Sequence, residues 1–241
     1  AEDSISDKER IDCLDYLIER DCDGILMSCP ELSVFELAKI EARYPKVVFI
    51  NRNIKDLAEK AFSTNHYQGG RLAAKHFVEL GHKKIAIVTG RMNAQDAQSR
   101  HKGFLDELLA AGIEVDPSLI ESGGYSFQQS VEATELLLSK KKPFTALFCS
   151  NDNSGMAAIS TLSKHGITVG KDVSVIGYDD IDLAEFTSPP MTSINIPLEA
   201  ISRNACHQIL NLCYGESLPI QNLFEPSLSI RESTHSITSN K

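Results

Sequence analysis

Long apolar segments and an excess of positive charge are both missing from this chain. No apolar run approaches the ~20 residues that a transmembrane helix needs, so the sequence predicts no membrane partner. The 24 Lys and Arg residues are outnumbered by 33 Asp and Glu residues, which gives a net charge of −9. An acidic surface repels phosphate groups, so we expect no direct contact between these residues and nucleic acid.

The six cysteines lack the CxxC and CxxH spacings of metal sites and redox motifs. Cys206 and Cys213 fall on one helical face, but they are too far apart along the helix axis to form a disulfide. A disulfide framework is also unusual in a chain of 241 residues. We therefore expect free thiols in a reducing compartment, the cytoplasm.

The patterns of metal, phosphate-binding and nucleophilic enzymes are missing too. The histidines show no HxxxH or HExxH spacing, Gly69-Gly70 belongs to no GxGxxG or Walker motif, and no nucleophile elbow is present. Asp179 and Asp180 could suggest a glycosidase, but adjacent carboxylates point in different directions and no second carboxylate can be placed opposite them. The sequence predicts no enzyme, no metal site and no cofactor.

Short apolar segments alternate with helical ones along the chain. Residues 173–181 are an apolar segment that ends at Asp179 and Asp180, and a helical run over residues 154–165 precedes it. Strands that alternate with helices of this length are typical of a parallel sheet with helical crossovers. Further strands are predicted at residues 22–28, 46–51, 61–64, 84–89, 119–120, 145–149, 192–196 and 223–230, and further helices at 11–18, 34–44, 67–80, 98–111, 127–139 and 198–213. The predicted fold class is α/β.

Polar side chains follow two neighbouring strands of this predicted sheet. Asn151 follows residues 145–149, and Asp179 ends the next strand along the chain. Open α/β sheets bind ligands beyond the carboxyl ends of their strands, and such side chains can hydrogen-bond the hydroxyls of a sugar. The residues alone therefore predict a receptor for a small polar molecule.

Several short motifs run in order across nearly the whole length. They are Asp23-Gly24-Ile25, Ile50-Asn51-Arg52, Gly69-Gly70-Arg71-Leu72-Ala73, Gly81-His82-Lys83-Lys84-Ile85, Arg100-His101-Lys102-Gly103-Phe104, Asn151-Asp152, Ile176-Gly177-Tyr178-Asp179-Asp180, residues 189–193 and residues 226–233. Each motif is weak alone. Together, and in this order, they resemble the effector-binding core of the lactose/galactose repressor (LacI/GalR) family of bacterial transcription regulators. The sequence near residues 151–153 and 177–189 is most similar to the galactose-repressor branch of that family.

The resemblance implies a type I periplasmic-binding-protein-like fold. Two Rossmann-like lobes with parallel sheets would be joined by crossings near residues 64–66, 195–196 and 222–224, with the effector in the cleft. The N-terminal lobe would comprise residues 1–64 and 196–222, and the C-terminal lobe residues 66–195 and 224–241. The chain begins with a polar segment, residues 2–10, that leads into a helix. We therefore expect the DNA-binding headpiece and a first β-α-β unit to lie upstream, which leaves the first lobe incomplete and residues 25–27 beside an unpaired sheet edge.

The resemblance also implies a set of side chains that contact the effector: Arg100, Asp179, Asn151, Asn51, Tyr125 and Asp96. A planar guanidinium at position 100 suits a diol or carboxylate, and an aromatic ring at position 125 suits the apolar face of a sugar.

Plainer interpretations of these residues remain open. Arg100, which would open its helix, could be paired with Asp96. Asn151 could cap the following helix, although Asp152 or Asn153 could do so instead. Tyr125 could be a surface residue of a turn. Two neighbours stay outside the set, because Asp180 is better explained as a carboxylate that stabilises the turn and Arg52 could be a salt-bridged residue at the rim.

The function implied is that of the sugar-binding and dimerisation core of a transcription regulator, with a hexose or related sugar as effector. Operator DNA would be bound only through the headpiece, and effector binding would rotate the lobes. The alternative is a periplasmic sugar-binding protein, which the motifs at residues 81–85 and 100–103 and the Arg231-Glu232-Ser233 segment disfavour. We expect a homodimer through the helix at residues 154–165. This helix carries more apolar residues than one buried face requires, namely Met156, Ala157, Ala158, Ile159 and Leu162.

Overall fold

The computed structural model describes residues 7–237, so the predictions for residues 1–6 and 238–241 lie outside the described residues. The helices are α1 (Asp7–Glu19), α2 (Val34–Arg43), α3 (His66–Glu79), α4 (Gln95–Ala110), α5 (Phe127–Ser139), α6 (Asp152–Lys164) and α7 (Leu198–Tyr214). The strands are β1 (Ile25–Ser28), β2 (Val47–Ile50), β3 (Ala61–Thr64), β4 (Ile85–Thr89), β5 (Ile120–Ser122), β6 (Ala146–Cys149), β7 (Ser174–Asp179), β8 (Thr192–Asn195), β9 (Leu223–Phe224) and β10 (Ser227–Ser229). Short 3₁₀ helices occupy Lys55–Lys60, Pro117–Leu119 and Asp182–Phe186. None of the helices within residues 7–237 has the length and apolar character to cross a bilayer.

The chain divides into two compact units. The first contains the described part of Ala1–Asn65 together with Asn93–Asp96 and Pro197–Glu225. The second contains His66–Met92, Ala97–Ile196 and the described part of Pro226–Lys241.

The first unit is built on a parallel sheet of order β1-β2-β3-β9. Alternate residues of β2 face opposite sides, as the pleat of a strand requires. Val47 and Phe49 pack with Leu14 of α1 and with α2, whereas Val48 packs with α7. Within residues 7–237, β1 pairs with β2 alone, so it lies at the sheet edge that the sequence predicted. Its Leu26 is 42 % exposed.

The second unit is built on a six-stranded sheet of order β10-β8-β7-β6-β4-β5, in which only β10 runs antiparallel to its neighbour. Helices α3 and α4 cover one face and α5 and α6 cover the other. The two faces bury separate apolar clusters, centred on Phe77, Phe104 and Phe148 on one side and on Leu137, Leu147 and Leu162 on the other. The predicted α/β class with parallel sheets is confirmed.

Two glycines of the sequence motifs allow α3 and α4 to cross closely. A Cβ atom on Gly70 would lie 2.0 Å from the carbonyl oxygen of Arg100, and one on Gly103 would lie 2.0 Å from the carbonyl oxygen of Tyr67. Any side chain there would force the helices apart, so both positions require glycine for packing.

Several predicted boundaries were wrong. The helix predicted from residue 98 begins at Gln95, so Arg100 lies inside α4 and does not open it. The strand predicted at residues 119–120 begins only at Ile120, as β5. A 3₁₀ turn over Pro117–Leu119 precedes it, and Asp116 accepts a hydrogen bond from Ser118 N at 2.9 Å at the start of this turn. The strand predicted at residues 223–230 is split at Glu225-Pro226, because proline lacks the N–H that a ladder needs.

The prediction that α6 carries surplus apolar surface was also wrong. Ala157, Ala158, Ile159 and Leu162 are all buried within the second unit, where α6 packs against α5 and the sheet. Met156 is half-buried against the same cluster. The helix therefore offers no unpaired apolar stripe for a partner.

Candidate ligand-binding site

The carboxyl ends of the parallel strands of the second unit lie along one edge of its sheet. Asp179 ends β7, Ser150 and Asn151 follow β6, and Tyr125 lies in the turn after β5. Since β7, β6, β4 and β5 are neighbours in that order, these turns lie side by side. This is the position where open α/β sheets bind ligands.

Arg100 of α4 reaches this edge from one face of the sheet. Its guanidinium is buried, with the side chain only 2 % exposed. One Nη1–H donates to the carbonyl oxygen of Ser150, and Nη2 lies 3.2 Å from Nδ1 of His66. Its Cζ lies 3.5 Å from the centre of the Tyr178 ring. The guanidinium is thus a fixed planar group, which suits recognition of paired oxygens.

His66 and Tyr178 belong to this arrangement, but the sequence reasoning missed both. Tyr178 is fully buried in β7, and its hydroxyl lies 3.0 Å from Nδ1 of His66 at the start of α3. A tyrosine in a buried apolar strand was the available signal, because its hydroxyl needs a hydrogen-bond partner.

Tyr125 is partly buried and has a left-handed backbone, with φ of +69°. Its ring lies over Gly90, where a Cβ atom would fall 2.2 Å from the Tyr125 Cζ. The ring centre is 5.7 Å from the Arg100 guanidinium and 5.9 Å from that of Arg91. The side chain is therefore packed beside Arg100 rather than standing alone on a surface turn.

Asn151, rather than Asp152 or Asn153, is the N-cap of α6. Its Oδ1 accepts a hydrogen bond from Ser154 N at 2.9 Å, and its Nδ2 donates to the carbonyl oxygen of Tyr125 at 3.2 Å. The same amide thus links the turns after β5 and β6, so a capping role accounts for part of what Asn151 does.

The turn after β7 is strained. Asp179 and Asp180 have φ values of +106° and +57°, a region that side chains other than glycine adopt rarely. The Asp180 carboxylate is fully engaged, accepting hydrogen bonds from Arg231 at 2.7 Å, Ser229 at 2.6 Å and Asn195 at 3.2 Å. This confirms that Asp180 stabilises the turn.

The Asp152 carboxylate also stabilises this turn through hydrogen bonds. Its two oxygens accept hydrogen bonds from Ile181 N at 2.8 Å and from the Ser193 hydroxyl at 2.6 Å, and Ser193 in turn accepts one from Asp180 N at 3.2 Å. Burial raises the pKa of the Asp152 carboxyl to about 6, although the bonds from Ser193 and Ile181 oppose the shift.

The remaining candidates belong to the first unit. Asn51 follows β2 with φ of +58°, another left-handed backbone. Asp96 lies in the first turn of α4, in the short segment that clusters with the first unit. Arg52 is buried, and its Nη1 donates to the carbonyl oxygens of Cys29, Pro30 and Leu32 at 2.6 to 3.0 Å. Arg52 therefore holds the loop after β1.

Within the part of the chain that the structure describes, no group of three or more His, Cys, Asp or Glu side chains could hold a metal ion.

Comparison with known proteins identifies the family. Residues 74–234 match the family described as a periplasmic binding protein-like domain. The HTH-type transcriptional repressor PurR of Photobacterium profundum is 34 % identical over 226 residues, covering 92 % of this chain and 67 % of the repressor. A LacI-family transcriptional regulator from Burkholderia phymatum superposes with a TM-score of 0.90 at 36 % identity, over 95 % of this chain and 83 % of that one. The complex of the regulator CelR with cellobiose gives a TM-score of 0.82 at 30 % identity, over 95 % and 71 %.

These relatives are transcription regulators rather than enzymes, and they do not favour a transport protein. The likeness to the galactose-repressor branch stays a prediction, since the curated relatives carry the name PurR. The chain belongs to the LacI/GalR family of transcriptional repressors, of which it is the ligand-binding core.

Proposed function

We propose that this chain binds a hexose or related sugar and thereby controls the affinity of a cytoplasmic repressor for its operator. The side chains proposed to contact the effector are Arg100, Tyr125, Asn151 and Asp179 of the second unit and Asn51 and Asp96 of the first. Control requires that the effector bind two states of the repressor with different affinity.

The main support for this proposal is that turns with strained backbone lie beside the buried guanidinium of Arg100. Tyr125, Asp179 and Asp180 all have positive φ, and their turns lie at the same sheet edge as Arg100. Such conformations cost roughly 1–3 kcal/mol each and cluster at ligand and active sites. Asn51 shares the feature in the first unit.

A sugar fits the chemistry of these side chains. A guanidinium and a carboxylate can each bond two hydroxyls, and the Tyr125 ring can cover an apolar C–H face. The related CelR regulator has been solved with cellobiose. Both observations support a carbohydrate over a purely apolar effector.

Thermal-shift measurements on the purified chain test the proposal. The panel contains hexoses, pentoses, cellobiose, nucleosides and nucleobases. A compound at 100 times its Kd should stabilise the chain by ~2.7 kcal/mol. We expect a sugar to stabilise the wild type and Arg100→Lys to lose that effect. A shift caused only by nucleosides or nucleobases would overturn the sugar assignment, and a sugar shift unchanged in Arg100→Lys would overturn the site.

We also propose that the chain forms a homodimer through the second unit. Support comes from Leu183 and Phe186, which are 57 % and 80 % exposed, and from Ile230, which is 65 % exposed. Arg231, next to Ile230, bonds Glu185 at 3.2 Å, so these side chains belong to one surface. Exposed large apolar groups in one patch are typical of an interface.

Sedimentation of the wild type and two variants tests the dimer. Phe186→Glu should give a monomer at about tens of micromolar, whereas Phe127→Glu, which changes another exposed phenylalanine of the same unit, should not. A wild type that sediments as a monomer at that concentration would refute the proposal.

Contact with operator DNA is proposed to occur through a helix-turn-helix segment of the whole protein, as the names of the PurR relatives indicate for those proteins.

A further inference from the structure

We infer that His66 is a positioning residue that sets the plane of the Arg100 guanidinium, and that it does so as a neutral imidazole with its proton on Nε2. Its effect on effector binding rests on the proposed role of Arg100. The orientation itself follows from contacts within the second unit.

The donors around His66 determine its tautomer. Nδ1 lies 3.2 Å from Nη2 of Arg100 and 3.0 Å from the hydroxyl of Tyr178, and the imidazole is buried. A guanidinium is always charged and has only donors, so Nδ1 must offer a lone pair to Arg100. The Tyr178 hydroxyl then donates to the same nitrogen, and the ring proton is left on Nε2.

A proton on Nδ1 would be opposed in two ways. It would place an N–H group against the N–H groups of Arg100, and in a ring protonated on both nitrogens it would also add a second positive charge about 3 Å from the first. The interaction between His66 and Arg100 therefore depends on one particular tautomer of an uncharged histidine.

Three contacts act on the guanidinium from different directions. The ring of Tyr178 covers one face of it, with 3.5 Å between Cζ and the ring centre. The bonds to His66 Nδ1 and to the Ser150 carbonyl oxygen restrain its rotation. Gly69 makes room for this packing, because a Cβ atom there would lie 2.3 Å from the Tyr178 hydroxyl oxygen. A group held in this way loses little freedom when a ligand binds.

Residue 66 is the part of this arrangement that a substitution can change selectively. The Ser150 acceptor is backbone and the Tyr178 ring remains in place, so replacement of His66 removes one bond to Arg100. Asparagine can place its amide oxygen near the position of Nδ1. Glutamine is longer and places its oxygen near the position of Nε2, which gives a matched pair of variants.

Nitrogen-15 NMR of the full chain without ligand tests the orientation. For the wild type we expect an unprotonated Nδ1 of His66 and separate resonances for the two Nη atoms of Arg100, since rotation about Nε–Cζ should be slow. His66→Asn should keep the separate resonances, and His66→Gln should merge them. A protonated Nδ1, or separate resonances that survive in His66→Gln, would overturn the inference.

Tyr178→Phe provides a second variant in case His66→Gln fails to fold. It keeps the stacked ring and deletes the hydroxyl, so the Nδ1 resonance of His66 should move while Arg100 keeps two Nη resonances. An unmoved Nδ1 resonance would contradict the assigned contacts.

Binding of the panel sugars, cellobiose included, gives the functional readout. For a sugar that binds the wild type, His66→Gln should raise Kd about tenfold and His66→Asn by about threefold or less. Equal losses in both variants would show a merely structural role. Because the NMR readout needs no ligand, failure of every sugar to bind would overturn the proposed function and not the orientation of Arg100.

Discussion

Arg100 is the single residue whose chemistry is hardest to replace. Lysine carries the same charge, but its ammonium cannot make planar bonds to Ser150 and His66 while stacking on Tyr178. We expect Arg100→Lys to weaken effector binding by ~1.5–3 kcal/mol, the usual value of a hydrogen bond to a charged group. Isothermal calorimetry with the sugar found by thermal shift measures this change.

Arg203→Lys is the matched control for that prediction. Arg203 lies on α7, is exposed and pairs with Glu199 one helical turn away, so its replacement should leave the affinity unchanged. Equal effects of the two substitutions would exclude a specific role for Arg100.

Asp179, a proposed ligand contact, also has an unfavourable backbone conformation. Glycine adopts a φ of +106° without a steric penalty, so Asp179→Gly should relieve roughly 1 kcal/mol of strain while it abolishes effector binding. Urea unfolding and calorimetry measure the two effects separately.

Lys141→Gly separates backbone strain from ligand contact. Lys141 is exposed, follows α5 and has φ of +53°, so glycine should stabilise the chain by roughly 0.5–1 kcal/mol and leave affinity intact. Loss of binding in Lys141→Gly, or full binding in Asp179→Gly, would contradict the assignment of Asp179 to the site.

At the scale of residues, the polar residues at strand ends could be identified from the sequence, whereas the buried residues that contact Arg100 could not. Asn151 and Asp179 could be predicted because polar residues after apolar strands are visible in the sequence. His66 could not, because its partner Tyr178 is 112 positions away and no local pattern joins them. The capping role of Asn151 required the geometry of α6, since three successive residues could each have served.

Among the elements, a buried histidine links the residues that precede β4 and β6 to the C-terminal segment. His82 lies just before β4 and is fully buried; its Nδ1 is 2.9 Å from the Thr145 hydroxyl and its Nε2 is 3.0 Å from the His235 carbonyl oxygen. Desolvation lowers the pKa of His82 to about 4.

This shift predicts a loss of stability in acid. An unfolded His82 gains its proton near pH 6.5 and the folded one only near 4, so the unfolded state binds more protons between those values. The contribution of His82 to the free energy of unfolding should therefore fall as pH drops from 6.5 to 4, by about 3 kcal/mol. Urea unfolding at a series of pH values measures the slope.

Asp152 should act in the opposite direction. Its pKa is raised to about 6 in the folded chain against 3.8 as the ordinary value, so the folded state binds more protons between these limits. This contribution stabilises the chain as pH falls from 6 to 3.8. Asp152→Asn should therefore steepen the loss of stability in acid, and His82→Asn should make that loss shallower. Parallel profiles for both variants and the wild type would show that neither group titrates as stated.

At the scale of elements, periodicity predicted the strands and helices well because most strands here are buried on both faces and read as short apolar runs. The segment at residues 223–230 could not be resolved from the pattern. Its halves, β9 and β10, pair with β3 and β8 in opposite directions, and these partners lie far away in sequence. Burial of α6 was misjudged because a helix packed against both a sheet and α5 needs a wider apolar surface than one stripe.

For the molecule as a whole, the charge of −9 predicts its behaviour toward DNA. We expect residues 1–241 alone to show no sequence-selective binding to operator DNA at moderate salt, because an acidic chain gains nothing from releasing counterions. A gel-shift assay tests this, with a full-length repressor of the family as the positive control. A sequence-selective shift with residues 1–241 would show that the ligand-binding core itself contacts bases.

The first unit assembles from segments that are made at very different times. The Thr64 hydroxyl at the end of β3 donates to the carbonyl oxygen of Phe224, 160 positions later, and α7, which covers Val48 and Phe62, also comes late. A ribosome adds ~5–20 residues per second, so these partners emerge on the order of 10 s apart. During that interval β1, β2 and β3 lack their partners β9 and α7 while strands β4 to β8 are being synthesised. The first unit therefore completes its fold only after most of the second has left the ribosome, and an apolar face stays available to chaperones until then.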